Sequence, residues 1–364
     1  MYKEELVKVE EILYEDERIQ LLVTSDGAKR AMLYKNICPS ASVGERLIVN
    51  HTAASLSLGT GGWDIVQSVV RREPFQNEEG KGHIMKARYL PSQLSVLSIE
   101  AQESEYHDIF KRSFSLDEKP ILLAELHSMI PIVYTSLKAR ANNMTLTIII
   151  SDEASIPIVM SEHLRVMKQD PLIKTISIGQ AFGGDMEAVN LQTALQYAHE
   201  IMSDVILVTL GPGVVGTGTK YGYSGMVLAQ WANIVGKLGG KPVWIPRISF
   251  ADQRERHVGI SHHTLTPLVE FTYATSYLPI PILQESERVR VEEQLTALKD
   301  TMHQVVPVSL DDAFISSCQT EMDNYPLPIK TMGRTYYDDR AFFHGVYAAI
   351  KSLSTLRPKQ GDFK

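Results

Sequence analysis

Residues 204–267 restrict the possible folds more than any other part of the chain. They begin with an apolar run, Val205–Leu210, which leads into a loop containing six glycines. An amphipathic segment at 226–238 and a second apolar run at 243–245 follow. This order predicts a strand, a loop, a helix and a further strand of a parallel sheet. In such a sheet the loops that follow the strands leave from the same edge.

The same alternation begins about eighty residues earlier. Continuous apolar runs predict buried strands at 121–125, 145–150 and 173–178. Amphipathic segments predict helices at 131–142, 157–168, 186–202, 285–302, 310–317 and 338–353. Apolar strands that alternate with helices are typical of a parallel sheet covered on both sides. We therefore predict an α/β fold: a mostly parallel, Rossmann-like sheet with helices on both faces.

The N-terminal part of the chain has a different pattern. Short runs at 7–13, 19–24, 29–34 and 46–51 are separated by turn residues, and Asp26-Gly27 is a hairpin signal. They predict a small antiparallel β-barrel-like domain at 1–70, in addition to the α/β fold. We place a connector at 71–119, the α/β domain at 120–354 and a flexible tail at 355–364. In the connector, Lys86 and Arg88 are expected on a solvated basic face.

Composition limits the classes of partner. The 364 residues carry a net charge of −7, which provides no overall positive field for nucleic acid. The N-terminus lacks a signal-peptide core, and no apolar run is long enough to cross a bilayer. Two distant cysteines do not suggest a disulfide framework. We expect a soluble cytoplasmic protein without a membrane partner, for which nucleic acid is an improbable ligand and a homo-oligomer is possible.

Polar residues that follow the predicted strands suggest an anion site at the sheet edge. Glycines let a phosphate approach the backbone, and guanidinium groups bind phosphate or carboxylate with two hydrogen bonds. The candidate ligand-binding residues are Gly211, Gly213, Gly216, Gly218, Lys220, Arg247, Ser249, Asp252, Arg254 and Arg256. The alternative is that the glycine loop is a tight structural crossover or a mobile lid.

Five residues at the same predicted edge have side chains suited to acid–base or metal chemistry. They are His262, His263, Asp185, Asp152 and His127. The spacing matches no standard metal site. His257 could act with His262 and His263 as an acid, a base or a metal ligand. Because adjacent histidines rarely bind one ion alone, a metal would need Asp152, Asp185 or His127 to join them. Neither a cofactor nor a metal is therefore specified by the sequence, which also leaves open whether the protein is an enzyme.

Several strings carry a family resemblance. They include residues 82–86, 181–185, 211–219, 249–252 and 259–264, with the sequences GHIMK, AFGGD, GPGVVGTGT, SFAD and GISHHT. These strings resemble the bacterial domain-of-unknown-function family 3866, and the resemblance covers nearly the whole chain. It implies a bacterial cytoplasmic protein and implies no activity.

Two functional hypotheses follow from the residues. The favoured one is that a small phosphorylated or nucleotide-like ligand binds at the carboxyl edge of the sheet, with hydrolase or transferase activity as an open option. The alternative is a non-catalytic nucleic-acid or protein-interaction module in which the N-terminal β domain is the reader. Fold alone does not decide between them.

Overall fold

A computed structural model of the chain describes residues 1–58, 61–71, 73, 75 and 82–357. Its N-terminal part is a closed five-stranded barrel with the strand order β1-β2-β3-β5-β4. The strands are β1 (Glu4–Glu15), β2 (Ile19–Thr24), β3 (Arg30–Tyr34), β4 (Arg46–Asn50) and β5 (Asp64–Val69), and a short helix α1 (Thr52–Ser55) precedes β5.

The barrel is mixed, where the sequence predicted antiparallel pairing throughout. Four pairings are antiparallel, but β3 and β5 close the barrel in parallel, with Ala31 opposite Asp64. Alternating residues such as Leu22, Leu33 and Leu47 fill the interior and have no solvent exposure. Each buried leucine of this kind stabilises the fold by about 1.5–3 kcal/mol.

The connector contains a small hairpin of β6 (Ile84–Lys86) and β7 (Leu94–Val96). The expectation of a solvated basic face is wrong for Lys86, which is fully buried. Its Nζ donates to the carbonyl oxygens of Gly179 and Ala188 and lies 3.5 Å from Oε2 of Glu187. These acceptors replace water around the ammonium group, which is how a lysine can be buried while charged.

The larger part of the chain is an α/β structure. Its strands are β8 (Pro120–Ala124), β9 (Leu146–Ser151), β10 (Ile173–Ser177), β11 (Met186–Glu187), β12 (Val205–Leu210), β13 (Lys241–Trp244), β14 (Ile248–Ser249), β15 (Gly259–Ile260), β16 (Tyr277–Pro281) and β17 (Gln304–Val308). Its helices are α2 (Met129–Arg140), α3 (Glu162–Met167), α4 (Leu191–Glu200), α5 (Val227–Lys237), α6 (His262–Phe271), α7 (Glu285–Leu295), α8 (Asp312–Asn324) and α9 (Arg340–Leu356).

Eight of these strands form one parallel sheet in the order β11-β10-β9-β12-β8-β13-β16-β17, while β14 and β15 form a separate two-stranded ribbon. Helices α2, α3, α8 and α9 pack on one face, and α4 to α7 pack on the other. Successive strand residues alternate between the two cores: Leu122 faces the first and Leu123 the second. Because the central strands are buried on both faces, most of their residues are apolar. The predicted α/β fold is confirmed.

Two parts of the sheet differ from the sequence prediction. The helix predicted at 186–202 begins only at Leu191, after the N-cap Asn190, because Met186–Glu187 pairs with β10. Strands β16 and β17 were not predicted because prolines usually indicate a break in a strand. Strand β16 pairs with β13 only through Tyr277, which lies opposite Val243, and the prolines of β16 come after Tyr277. The predicted tail overlaps α9 up to Leu356, and its residues 358–364 lie outside the described part of the chain.

The barrel packs against the α/β part through the faces of β2 and β3. Ile19, Met32 and Tyr34 form a cluster with Val159, which lies in a 3₁₀ turn before α3. Arg18 adds a hydrogen bond of 2.5 Å from Nη1 to the carbonyl oxygen of Gly183. Among the described residues, no helix is long and apolar enough to cross a membrane.

Candidate functional site

The order of the strands creates a crevice between β8 and β13. These strands are neighbours in the sheet. After β8 the chain runs to β9, which lies on one side of the pair, and after β13 it runs toward β16, which lies on the other side. Their following loops therefore diverge, and such a switch point at the carboxyl edge is the usual ligand position in open α/β sheets. Glu125 follows β8 directly, and Arg247 lies three residues after β13.

A pocket of about 130 Å³ opens at this crevice. Its walls come from the ends of both strands, the glycine loop after β12 and the loop between β14 and β15. The lining residues are Glu125, Leu126, Val214, Val215, Gly216, Gly218, Gly225, Arg247, Arg254, Arg256, His257, His263 and Met332. This volume is below the range of sites for drug-sized ligands and suits a small head group.

An ion pair and a hydrogen bond, both to Glu125, form the floor of the pocket. Oε1 of Glu125 accepts hydrogen bonds from Nη1 of Arg247 at 2.9 Å and from Nδ1 of His263 at 2.7 Å. Burial alone would raise the pKa of Glu125, but Arg247 and His263 stabilise the carboxylate and hold its pKa below the usual range. Glu125 is therefore an anion that fixes the orientation of both partners.

A second carboxylate orders the loop after β14. Asp252 accepts two hydrogen bonds from the guanidinium of Arg254, at 2.9 and 2.8 Å, and these bonds lower its pKa. Arg334 lies 3.6 Å from the same carboxylate and also donates to Asp339, which accepts from Ser249. The network links the segment before α9 to the wall of the pocket.

Arg256 is the guanidinium on the rim with unused donors. No carboxylate among the described residues lies within ion-pair distance of it. Its Nη atoms face Gly218, where an added Cβ would lie 3.8 Å away. Gly213 and Gly218 have φ values of +88° and +76°, which glycine adopts without strain. The glycine loop thus lies beside an available cation.

Three histidines converge beside this pocket. His257 ends a 3₁₀ turn, and His262 and His263 begin α6. One ring nitrogen of each lies within 4.8 Å of a nitrogen of both others. The ring of His263 stacks on Tyr223 with centroids 3.7 Å apart and an angle of 5° between the planes. Burial lowers the pKa of His257 to about 3 and that of His262 to about 4, so both rings are neutral at pH 7.

Four buried polar atoms of the histidine cluster and of the adjacent pocket floor have no hydrogen-bond partner within the described ranges. They are Oε2 of Glu125, Nη2 of Arg247, and Nε2 of both His257 and His262. In folded proteins such atoms are rare, because an unpaired buried donor or acceptor costs about 1–3 kcal/mol. Their concentration at one place indicates a position where a ligand, ion or water completes the hydrogen bonding.

Several predicted residues lie away from this pocket. Lys220 pairs with Glu270 at 2.8 Å, and the exposed Gly213 and buried Gly211 do not line the cavity. His127 contacts Ser161, the N-cap of α3, at 2.7 Å. The remaining two are Asp152, which accepts from the backbone of Gln180, and Asp185, which accepts from Thr175 and lines a different cavity beside the barrel.

The structure brings together Gly216, Gly218, Arg247, Arg254, Arg256 and His263 in the pocket wall, with Asp252, Ser249 and His262 in contact with it or adjacent. Sequence reasoning missed Glu125, Tyr223 and Asp339. For Glu125 a signal was present: a charged residue ends an otherwise apolar strand. No comparable signal marks Tyr223 or Asp339, whose roles depend on tertiary contacts.

The comparison with protein families agrees with the strings noted in the sequence. The model of the family described as "Protein of unknown function (DUF3866)" matches residues 30–350, and the chain belongs to that family. The resemblance is thereby confirmed. No curated protein matches the chain.

Proposed function

We propose that this member of the family binds a small phosphorylated ligand, with the phosphate in the pocket between β8 and β13. The observation that carries the proposal is the position of two guanidinium groups around a cavity of head-group size: that of Arg256, and that of Arg247, whose Nη2 has no hydrogen-bond partner among the described residues. Guanidinium groups bind phosphate oxygens through charge-assisted hydrogen bonds, which are stronger than neutral ones.

The charge of the surroundings supports an anion. Three carboxylates in the network, Glu125, Asp252 and Asp339, are already paired with Arg247, Arg254 and Arg334. Arg256 adds a positive charge that these pairs do not neutralise. A phosphate in the pocket would therefore meet a net positive charge.

The ligand has room to extend beyond its phosphate. An open groove of about 610 Å³ lies on the other side of the loop and shares Arg254 and Arg256 with the small pocket. Its remaining wall includes Ile260, Leu265 and Arg290. A phosphate ester, such as a nucleotide or a sugar phosphate, fits this combination of a polar head-group pocket and a wider, partly apolar groove.

The alternative function, in which the N-terminal barrel binds nucleic acid, has less support. In oligonucleotide-binding barrels the faces of the second and third strands contact the nucleic acid. Here residues of β2 and β3 are covered by Val159 and its neighbours. Residues 1–70 also contain seven Lys and Arg against ten Asp and Glu. A surface with that balance repels a polyanion.

Calorimetric titration of the chelator-treated protein with inorganic phosphate, nucleoside monophosphates and sugar phosphates tests the proposal. We expect saturable binding of an ester, weakened about 10- to 100-fold by Arg256→Ala, because a charge-assisted hydrogen bond contributes about 1.5–3 kcal/mol. Lys220→Ala, which removes a similar charge outside the pocket, is the control and should not change the affinity. Equal effects of the two substitutions, or no binding by any probe, would refute the proposal.

Turnover is read in parallel samples without chelator, to which divalent metal ions are added. Release of inorganic phosphate from the bound ester identifies a hydrolase, and transfer of the phosphoryl group to an added alcohol identifies a transferase. Binding without either product, with and without added metal ions, assigns the protein to ligand binding alone.

A further inference from the structure

The three histidines of the cluster offer nitrogen atoms that no group in the described residues binds. His257 and His262 each have a buried Nε2 without a partner in the part of the chain that the structure describes. In His263 the other nitrogen, Nδ1, is occupied by Glu125. The available nitrogens therefore belong to three neighbouring rings, and one nitrogen of each ring lies within 4.8 Å of the others.

The opposite sides of two rings are held in place. Nδ1 of His257 lies 2.7 Å from Oγ of Ser261, and Nδ1 of His263 lies 2.7 Å from Oε1 of Glu125. Histidines that bind metals usually have the second nitrogen hydrogen-bonded to a carboxylate, a carbonyl or water, which fixes the tautomer and the ring orientation. Stacking on Tyr223 further restricts His263.

We propose that the Nε2 atoms of His257, His262 and His263 bind one divalent transition-metal ion of the zinc class. Imidazole nitrogen suits zinc, copper, nickel and iron(II), whereas magnesium and calcium prefer oxygen ligands. Ligands on a tetrahedral zinc ion lie roughly 3.3 Å apart, because zinc–nitrogen bonds are 2.0–2.1 Å. One nitrogen of each ring lies within 4.8 Å of the others, so the rings must come closer by up to about 1.5 Å to hold a tetrahedral ion.

Most of the positive charge near the cluster is compensated. The guanidinium groups of Arg247 and Arg254 are paired with Glu125 and Asp252, so their repulsion of a cation is reduced, and Arg256 is the exposed cation that remains on the pocket wall. The proposed ligand set consists of the three histidines, whereas the sequence-based expectation was that Asp152, Asp185 or His127 would join them.

The site goes beyond the proposed phosphate binding. Three histidine ligands leave a fourth position on a tetrahedral ion, as in catalytic zinc sites. His263 is in the wall of the small pocket, so this position would be accessible to water or to an anion there. The metal site does not depend on which ester binds, and it can be tested without one.

The test uses the full chain, stripped with a chelator and then titrated with Zn²⁺ or Co²⁺ in the absence of phosphate. We expect one ion per chain, a rise in the melting temperature, and visible Co²⁺ absorption bands typical of a four-coordinate nitrogen site. His262→Ala should weaken Zn²⁺ binding at least 100-fold. His83→Ala, in which the replaced side chain is 59% exposed and pairs with Glu103, is the matched control.

His262 is only partly buried, so its substitution should leave the protein folded, and His263→Ala provides a second variant. Absence of stoichiometric binding, or equal affinity in His262→Ala and His83→Ala, would overturn the metal site. The result is separable from the phosphate proposal, because phosphate binding is measured in the presence of chelator and metal binding in the absence of phosphate.

Discussion

Glu125 and Arg247 form an ion pair that is almost completely inaccessible to solvent: their N–O distance is 2.9 Å, and their side chains are 3% and 4% exposed. Each lies at the carboxyl end of one of two neighbouring strands, so the pair spans the crevice. Removing one charge leaves the other buried without compensation, which costs about 3–5 kcal/mol. The pair thus couples the geometry of the pocket to the stability of the sheet edge.

The first prediction concerns Glu125→Gln. This substitution keeps the size of the side chain but removes the charge that faces Arg247 and His263. We expect the free energy of unfolding, measured by urea denaturation, to fall by about 3 kcal/mol or more. Glu270→Gln, which affects an exposed pair with Lys220, is the control and should change it by less than about 1 kcal/mol. Similar losses in the two variants would contradict the importance of burial.

The second prediction concerns pH. The pKa of His257 is about 3 and that of His262 about 4 in the folded chain, against 6.5 for a free histidine. Below pH 6.5 the unfolded chain binds protons that the folded chain does not, so the free energy of unfolding should fall as the pH decreases from 6.5. This loss continues until the pH passes the two folded values.

Measurements with chelator between pH 6.5 and 4.5 isolate the histidines, because most carboxylates titrate below this window. The slope of unfolding free energy against pH should be smaller in His262→Gln than in the parent protein. The exposed-site variant His83→Gln should keep the parent slope. An unchanged slope in His262→Gln would show that this ring is protonated as easily in the folded chain as in the unfolded one.

The third prediction concerns Lys86, whose Nζ contacts two carbonyl oxygens and Glu187 in the interior. Burial lowers the pKa of Lys86 and raises that of Glu187, so each group needs the other to stay charged. Lys86→Met should reduce the free energy of unfolding by about 3–5 kcal/mol, since Glu187 loses its counter-charge.

A double-mutant cycle separates this effect from lost packing. Adding Glu187→Gln to Lys86→Met should recover part of the loss, because the uncompensated carboxylate is then absent. Lys220→Met at an exposed position should have almost no effect. Strictly additive losses in the double variant would mean that Lys86 and Glu187 do not interact.

The fold was predictable to the extent that it depends on local pattern. Strands β9 and β12 are buried along their whole length and are mostly apolar, so the sequence identified them as buried strands. Strand β16 was missed because its prolines are typical of a loop. Only the tertiary structure shows that β16 makes few backbone hydrogen bonds to β13, so that the missing N–H groups of the prolines are tolerated there. Met186–Glu187 was assigned to a helix because a two-residue strand has no measurable period.

The candidate site was predictable in position but not in composition. Parallel strands bring their following loops to one edge, so Arg247 and His263 could be expected near the glycine loop. Which loops lie close together depends on the order of the strands in the sheet. The periodicity of the sequence carries no information about that order. Asp152 and Asp185 follow strands on the side of the sheet away from β13 and instead bind local backbone or hydroxyl groups. Lys220 of the glycine loop forms an ion pair with Glu270 on α6.

The fourth prediction uses two glycines of the pocket wall with opposite expected effects. An added Cβ at Gly225 would lie 3.0 Å from Cγ of Glu125 and 3.3 Å from the ring of Tyr223, both tighter than ordinary contacts. Gly225→Ala should therefore lower the free energy of unfolding by about 1–3 kcal/mol, as overpacking does. It should also displace His263 through Tyr223 and weaken Zn²⁺ binding.

Gly216→Ala provides the matched comparison. Its Cβ would lie 3.6 Å from Tyr223 and 3.7 Å from Cε1 of His263, which are ordinary contacts, and its φ is not in the left-handed region. Because alanine reduces the entropy of the unfolded chain, this substitution should leave stability unchanged or raise it by up to about 1 kcal/mol. Urea denaturation of both variants checks the difference in sign. A loss in Gly216→Ala as large as that in Gly225→Ala would mean that the loop, and not the contact with Glu125, limits the packing of the site.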